Sequence, residues 1–376
     1  MIKAEISEIK KQFSGENCTI SKICACYVGG EKDKITTMRE AFLSLPEEEA
    51  TRYFQILRKG LSGTIGKNLI NLEFPLEVEF SDGAQQFLLD LRDSHLEDDE
   101  LLEAFYNKMI ETYPYTQNYL ILLIDCNYDV PGRTSDGMDM EDASDEVYHY
   151  IYCAICPVKQ SKPGLTYEPQ GNLFRSRICD WIVDVPMNAF LFPAFNDRST
   201  DLHSCLYYTK DTEKPFEDFV YTMLGCTLPI PAGFQKEAFQ TIVAETLGEE
   251  CDLEVLRNIH ETLYDIMDEH AEDPAPLILD KADVKNVLAK SGVSNEQLET
   301  FDTHYDNTVG ATSELMISNI TETRKFEVKT PDVVIKVNPE RADLVETKVI
   351  EGRKYIMIEV GSNIEVNGVS LSNTNE

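Results

Sequence analysis

Two stretches constrain this chain more than any others: "NYLILLIDCNYDV" at 118–130 and "EVYHYIYCAICPV" at 146–158. Both are long apolar runs rich in Ile, Tyr and Val and bounded by turn residues. That composition suits strands buried inside a protein. No run reaches the 18 consecutive apolar residues of a membrane-spanning helix. The N-terminal "MIKAEISEIKKQF" lacks the apolar centre of a secretory signal. "ICDWIVDVP", "AFLFPAF" and "SCLYYTKD" continue the strand-rich character to about residue 232.

Helical patterns surround this sheet-forming region. "SLPEEEATRYFQILRKGL" places Ser44 and Glu47 in capping-box spacing, with three glutamates in the first turn. Its apolar stripe runs Ala50, Tyr53, Phe54, Leu57, Leu61. A second helix carries Phe80, Ala84, Phe87, Leu88 and Leu91, and "DDELLEAFYNKMIETY" follows as a third. Residues 233–309 are helical again, with a stripe of Leu253, Leu256, Ile259, Leu263, Ile266 and Met267. The last stretch reads as strands with tight turns at Glu351-Gly352 and Asn367-Gly368. The expectation is an α+β protein: a mixed helix and sheet body over 1–232, a helical segment over 233–320 and a small C-terminal β module over 321–376. A chain of 376 residues is long enough for two or three cores.

Charge narrows the partners. Sixty-seven acids against 34 bases give a net charge of −33. Such a surface repels phosphate backbones and anionic lipid, so nucleic acid and membrane are disfavoured as partners. A basic protein, peptide or metal fits better, and the plain reading is a solvated acidic surface. Most of the ten cysteines sit inside apolar stretches, the pattern of buried reduced thiols in a reducing cytoplasm. Oligomeric state does not follow from the sequence.

Motif after motif fails on inspection. "RKGLSGTIGKNLINLEFP" looks like a phosphate loop, but Leu61 stands where the first glycine belongs and Asn68 replaces the magnesium-binding hydroxyl. A helix precedes it and a strand follows, so Gly60 reads as a left-handed helix cap and Gly63 and Gly66 as turns. "HETLY" at 260–264 lacks the second zinc-binding histidine; Tyr264 stands there, and His270 falls on another face. Asp125, Asn127, Asp129 and Asp136 occupy calcium-loop spacing, but Val130 replaces the glycine of the turn. The acidic stretch 131–146 that contains Asp136 reads as an exposed, mobile loop. Cys153 and Cys156 form C-x-x-C in a strand, where they would face opposite sides. Asp197, Arg198, Asp201 and His203 cluster after an aromatic-proline strand and read as a charged pair fixing a loop.

One constellation carries chemistry in principle. Pro331-Asp332 followed by Glu346-Thr347-Lys348 has the spacing of a nuclease core, in which two acids hold a divalent metal and a lysine activates water. Asp332, Glu346 and Lys348 equally read as surface charges on strands. The alternatives to a non-enzymatic binding or scaffold protein are therefore a metal-dependent nuclease using those three residues, or a nucleoid-associated protein docking through the C-terminal module. No catalytic, cofactor-binding or metal residue is assigned, and no cofactor is expected.

Four long stretches, "NCTISKICACYV", "LSGTIGKNLINLEFP", "FLFPAFNDRS" and "KTPDVVIKVNPERADLVETKVIEGRKYI", carry a resemblance to a bacterial family known as domain of unknown function 4317. The resemblance spans nearly the whole chain. It implies a cytoplasmic protein of Firmicutes and brings no reaction, cofactor or catalytic residue with it.

Overall fold

The computed structural model describes residues 1–76, 83–133, 139–248, 251–321, 325–360, 364–366 and 369–371. The chain divides into two compact units, Met1–Pro231 and Ala232–Glu376, and is α+β throughout.

The first unit runs α1 (Lys3–Lys11), β1 (Ile20–Val28), β2 (Lys34–Ala41), α2 (Glu47–Gly60), β3 (Leu69–Glu73), α3 (Ala84–Asp93), α4 (Asp99–Thr112), β4 (Tyr119–Arg133) and β5 (Asp139–Gln160). The hairpin β6 (Leu165–Glu168) and β7 (Leu173–Ser176) follows, then β8 (Trp181–Val183) and β9 (Asn188–Phe192). A second hairpin, β10 (Ala194–Asn196) and β11 (Ser199–Asp201), precedes β12 (Ser204–Thr209) and α5 (Glu217–Leu224). The main sheet has the order β2-β1-β4-β5-β9-β12-β3, with β8 pairing the end of β5. Its strand pairs are antiparallel.

Both faces of this sheet are covered, which explains why β4 and β5 are apolar without alternation. Ile121, Leu123, Ile151 and Cys153 pack under Leu88 and Leu91 of α3, Leu102, Phe105 and Met109 of α4, and Phe219 and Met223 of α5. The opposite side chains, Leu122, Ile124, Tyr150 and Tyr152, pack against Ile6 and Ile9 of α1, Phe54 and Leu57 of α2, and Phe195 of β10. Each such burial contributes about 1.5–3 kcal/mol before entropy is counted.

Three local expectations change. No capping box forms at Ser44 and Glu47: α2 begins behind Pro46 without a side-chain cap, and Ser44 Oγ donates instead to the Ala41 carbonyl at 2.7 Å. Gly60 is not left-handed; it is the last residue of α2 and is buried. A β-carbon there would meet the Tyr152 hydroxyl and stand 2.9 Å from Ala189 Cβ, so glycine lets the helix approach β5 and β9. The turning falls to Gly63 and Gly66, with φ of 144° and 78°, and the stretch joins α2 to β3. Where a loop over 131–146 is expected, residues 131–133 belong to β4 and residues 139–146 to β5, paired as far as Arg133 and Asp139. Residues 134–138, and with them Asp136, lie outside the described residues, as do Phe80 and the Asn367-Gly368 turn.

The second unit contains α6 (Ala232–Leu247), α7 (Leu253–Glu269), β13 (Ile278–Leu279), α8 (Lys281–Lys290), α9 (Asn295–Thr308), β14 (Leu315–Met316) and α10 (Ile317–Ile320). Capping boxes at Asp280 and Ser294 start α8 and α9. Phe239, Ile242, Leu263, Val284, Leu288 and Phe301 form its core. Of the α7 stripe, Ile259 and Leu263 are the fully buried members. Three ladders follow: β15 (Phe326–Lys329) with β16 (Val334–Val337), β17 (Val345–Ile350) with β18 (Arg353–Ile358), and β19 (Ile364–Val366) with β20 (Val369–Leu371). Glu351 and Gly352, with φ of 50° and 76°, make the tight turn between β17 and β18.

Candidate metal centre

The helix-covered face of the sheet ends abruptly. Along β4 it reads Ile121, Leu123, Asp125, and along β5 it reads Ile155, Cys153, Ile151, His149. Asp125 pairs with Ile151 and Asn127 pairs with His149, so Asp125 and His149 are diagonal neighbours on one face. Side-chain alternation fixes this: a slip of one residue would send Asp125 into the opposite core.

A third group arrives from above. The link between α3 and α4 carries His95 and Leu96 with φ of 51° and 55°, a left-handed pair that L-residues seldom adopt. Leu96 is fully buried, which anchors the link. Lys22 of β1 holds Glu97 at 2.8 Å, and Arg39 of β2 donates to the Glu97 carbonyl at 3.1 Å and to Asp99 at 2.6 Å. The hydrogen bond from Lys22 keeps the exposed Glu97 carboxyl below its ordinary pKa. Asp98 caps α4 by accepting from the amides of Glu100 and Leu101. The strained turn is thus held on both sides, with His95 over the sheet.

The three side chains meet. His149 Nε2 lies 2.7 Å from Asp125 Oδ1, and His95 Nδ1 lies 3.5 Å from Asp125 Oδ2. The two imidazoles stack with centroids 4.4 Å apart and planes 18° from parallel. One ligand atom from each residue lies within 4.8 Å of the others. Asp125 is only 1% exposed, whereas the side chain of His95 is 53% exposed. Taking a carboxylate out of water costs several kcal/mol unless it is paired. The imidazole partners offset that cost here, and an ion would do so more strongly. Among the described residues this is the one group of three or more His, Cys, Asp or Glu side chains close enough to hold a metal ion.

The candidates raised by the sequence fall elsewhere. Asp125, Asn127 and Asp129, the described members of the calcium-spaced set, lie along strand β4 and not on the curled path of a calcium loop; Asn127 donates to Ser21 Oγ at 3.0 Å. Cys153 and Cys156 are buried on opposite faces, and burial raises both thiol pKa values. All ten cysteines are free. In the 197–203 cluster, Arg198 pairs with Glu8 of α1 at 3.1 Å, and Asp201 accepts from Asn196 at 2.6 Å. This fixes the β10–β11 turn, whose Asp197 and Arg198 are both left-handed. His260 stacks edge-on against Phe326 at 5.5 Å, and His270 Nδ1 lies 2.8 Å from the Ile266 carbonyl at the end of α7. Asp332 precedes β16, whereas Glu346 and Lys348 stand exposed on β17; the two strands belong to separate ladders.

The sequence singles out Asp125 for calcium spacing but not His95 or His149. A lone charged residue inside "LILLIDCNY" was the available signal, because a buried acid demands partners. Its partners stand 30 and 24 positions away, at no motif spacing.

The family described as Domain of unknown function (DUF4317) matches residues 1–369, and the chain belongs to it. No curated protein and no solved structure matches the chain.

Proposed function

We propose that this member of the DUF4317 family is a binding protein whose sheet unit takes up one divalent transition-metal ion at His95, Asp125 and His149. The observation that carries the reading is the buried Asp125 carboxylate facing imidazole nitrogens from two separate elements. Two imidazoles and one carboxylate suit ions of the zinc class and not calcium or magnesium, which prefer all-oxygen shells. Ligand atoms about 2.0–2.1 Å from a tetrahedral ion stand roughly 3.3–3.5 Å apart. The His95–Asp125 separation already matches. The 2.7 Å His149–Asp125 contact must open, and His95 must turn out of the stack, which its exposure permits. Three protein ligands leave a fourth position for water or a ligand.

The short His149–Asp125 bond and the stacked rings favour a second reading, in which the buried acid orients His149 as a proton-transfer group. One titration separates the two. Chelator-treated protein is titrated with Zn²⁺ and Co²⁺, following proton release, thermal stability and cobalt absorption. One equivalent bound by the native chain, and lost in Asp125→Asn and His149→Ala, is the expected result. An absence of uptake removes the metal reading and leaves the acid-base pair.

The placement of Asp332 before β16 and of Glu346 on β17, a strand of a separate ladder, argues against the nuclease alternative, and the net charge of −33 argues against nucleic acid as partner. Among the described residues no helix is long and apolar enough to cross a membrane. The ten free thiols support a cytoplasmic location. Within the second unit, residues 233–320 and 321–376 are proposed as separate helical and β parts.

A further inference from the structure

We propose that the second unit binds an uncharged, largely apolar small molecule in a cavity bordered by α6, α7 and the start of β15. The cavity measures about 490 Å³, within the range that holds small ligands in proteins. Its walls are core side chains. Phe239 and Val243 of α6 and Ile259 and Leu263 of α7 are spaced four apart, which puts each pair on one helical face. With Ile320 at the end of α10 they belong to the core of the unit, and none is more than 6% exposed. Phe326 of β15 completes the wall and meets the His260 ring edge-on.

Protein interiors pack as densely as organic crystals, so open space of this size beside a core is more than a packing defect. Water finds few hydrogen bonds against such walls, whereas an apolar body gains by being buried there.

The polar groups on the lining choose the rest of the ligand. Lys325 pairs with Glu327 at 2.7 Å, and Lys236 and His260 are engaged as well. A charged head group therefore meets no unopposed charge among the described lining residues. The Thr321 hydroxyl oxygen is different: it is buried and has no hydrogen-bond partner among the described residues. A buried hydroxyl left unmatched is destabilising. The ligand that corrects this carries one hydroxyl or carbonyl group on an apolar body.

The cavity has a built-in reporter. Cys251 stands on its lining and is exposed, whereas the other nine cysteines are buried or half-buried. The rate at which a maleimide alkylates Cys251 in the full chain, read by peptide mass, tests the proposal with 1-octanol as the probe. The expected result is a saturable slowing of about fivefold or more, with Cys18 and Cys179 reacting as before. Octanoate, equal in length but charged, should require a concentration about tenfold higher. Thr321→Val keeps the shape of the side chain and should weaken octanol by roughly three- to tenfold. Leu256 lies on the lining and is 37% exposed, so Leu256→Trp should fill the space and abolish protection with an unchanged circular dichroism spectrum. Octanol that leaves the Cys251 rate unchanged, or protection that survives Leu256→Trp, overturns the cavity as a binding site. Octanoate protecting as well as octanol, or Thr321→Val binding octanol as the native chain does, overturns the uncharged head group.

Discussion

Replacing Asp125 with asparagine preserves its shape and removes its charge, so the effect isolates what the carboxylate does for the two histidines. Zinc affinity is expected to fall by roughly 100-fold or more, while the circular dichroism spectrum stays unchanged. Asp125→Ala also strands His149 Nε2 in a half-buried setting and should cost about 1–3 kcal/mol in denaturant unfolding. Buried thiols oppose stability at alkaline pH, and Cys24 and Cys26 are two of them. Burial lifts the thiols of Cys24 and Cys26 from 9.0 to about 11. Between those values the unfolded chain has lost protons that the native state keeps, so the unfolded state gains with rising pH. Their stabilisation is complete below pH 9 and disappears as pH rises through 11. The melting temperature should fall across that window, and Cys24→Val with Cys26→Val should flatten the fall.

At the scale of elements, the docking of α2 against the sheet depends on a missing side chain. Gly60→Ala forces a methyl group against Tyr152 and Ala189, and such overpacking costs about 1–3 kcal/mol. Denaturant midpoints measure it, and a neutral result would show that the helix can shift. Elements with a strong local pattern were legible from sequence: α2, α4, β4, β5 and the turn at Glu351-Gly352 all follow from periodicity, apolar runs or turn chemistry. Gly60 was misread because a helix-ending glycine and a close-packing glycine look alike without the opposite surface. Acidic charges around residues 139–146 give the sequence of a loop and mask their pairing with the end of β4. The metal candidate was the least legible part, since it depends on strand register and on the left-handed link at His95. Neither leaves a local signature.

On the scale of the whole molecule, the two compact units predict separable behaviour. Residues 1–231 expressed alone should give a cooperative unfolding transition and keep the metal affinity of the full chain, because all three ligands lie in that unit. Loss of binding in the isolated unit would show that the remainder of the chain supports the site. The excess of acids adds a second expectation. Self-repulsion at −33 opposes compaction, so moderate salt should raise the melting temperature of the full chain. A melting temperature that falls with salt would instead show that specific ion pairs outweigh the general repulsion.

The position of β3 at the far edge of the sheet has a consequence in time. Its ladder partner is β12, and the side chain of Asn68, just before β3, donates to the Thr209 carbonyl 141 positions later. During synthesis β3 leaves the ribosome long before β12 exists. His95, Asp125 and His149 all emerge in that interval. For that period "NLINLEF" is an unsatisfied strand whose backbone can pair with any neighbouring nascent chain. Slowing translation between residues 150 and 204 should therefore lengthen the exposure and raise the insoluble fraction, whereas slowing it after residue 231 should not.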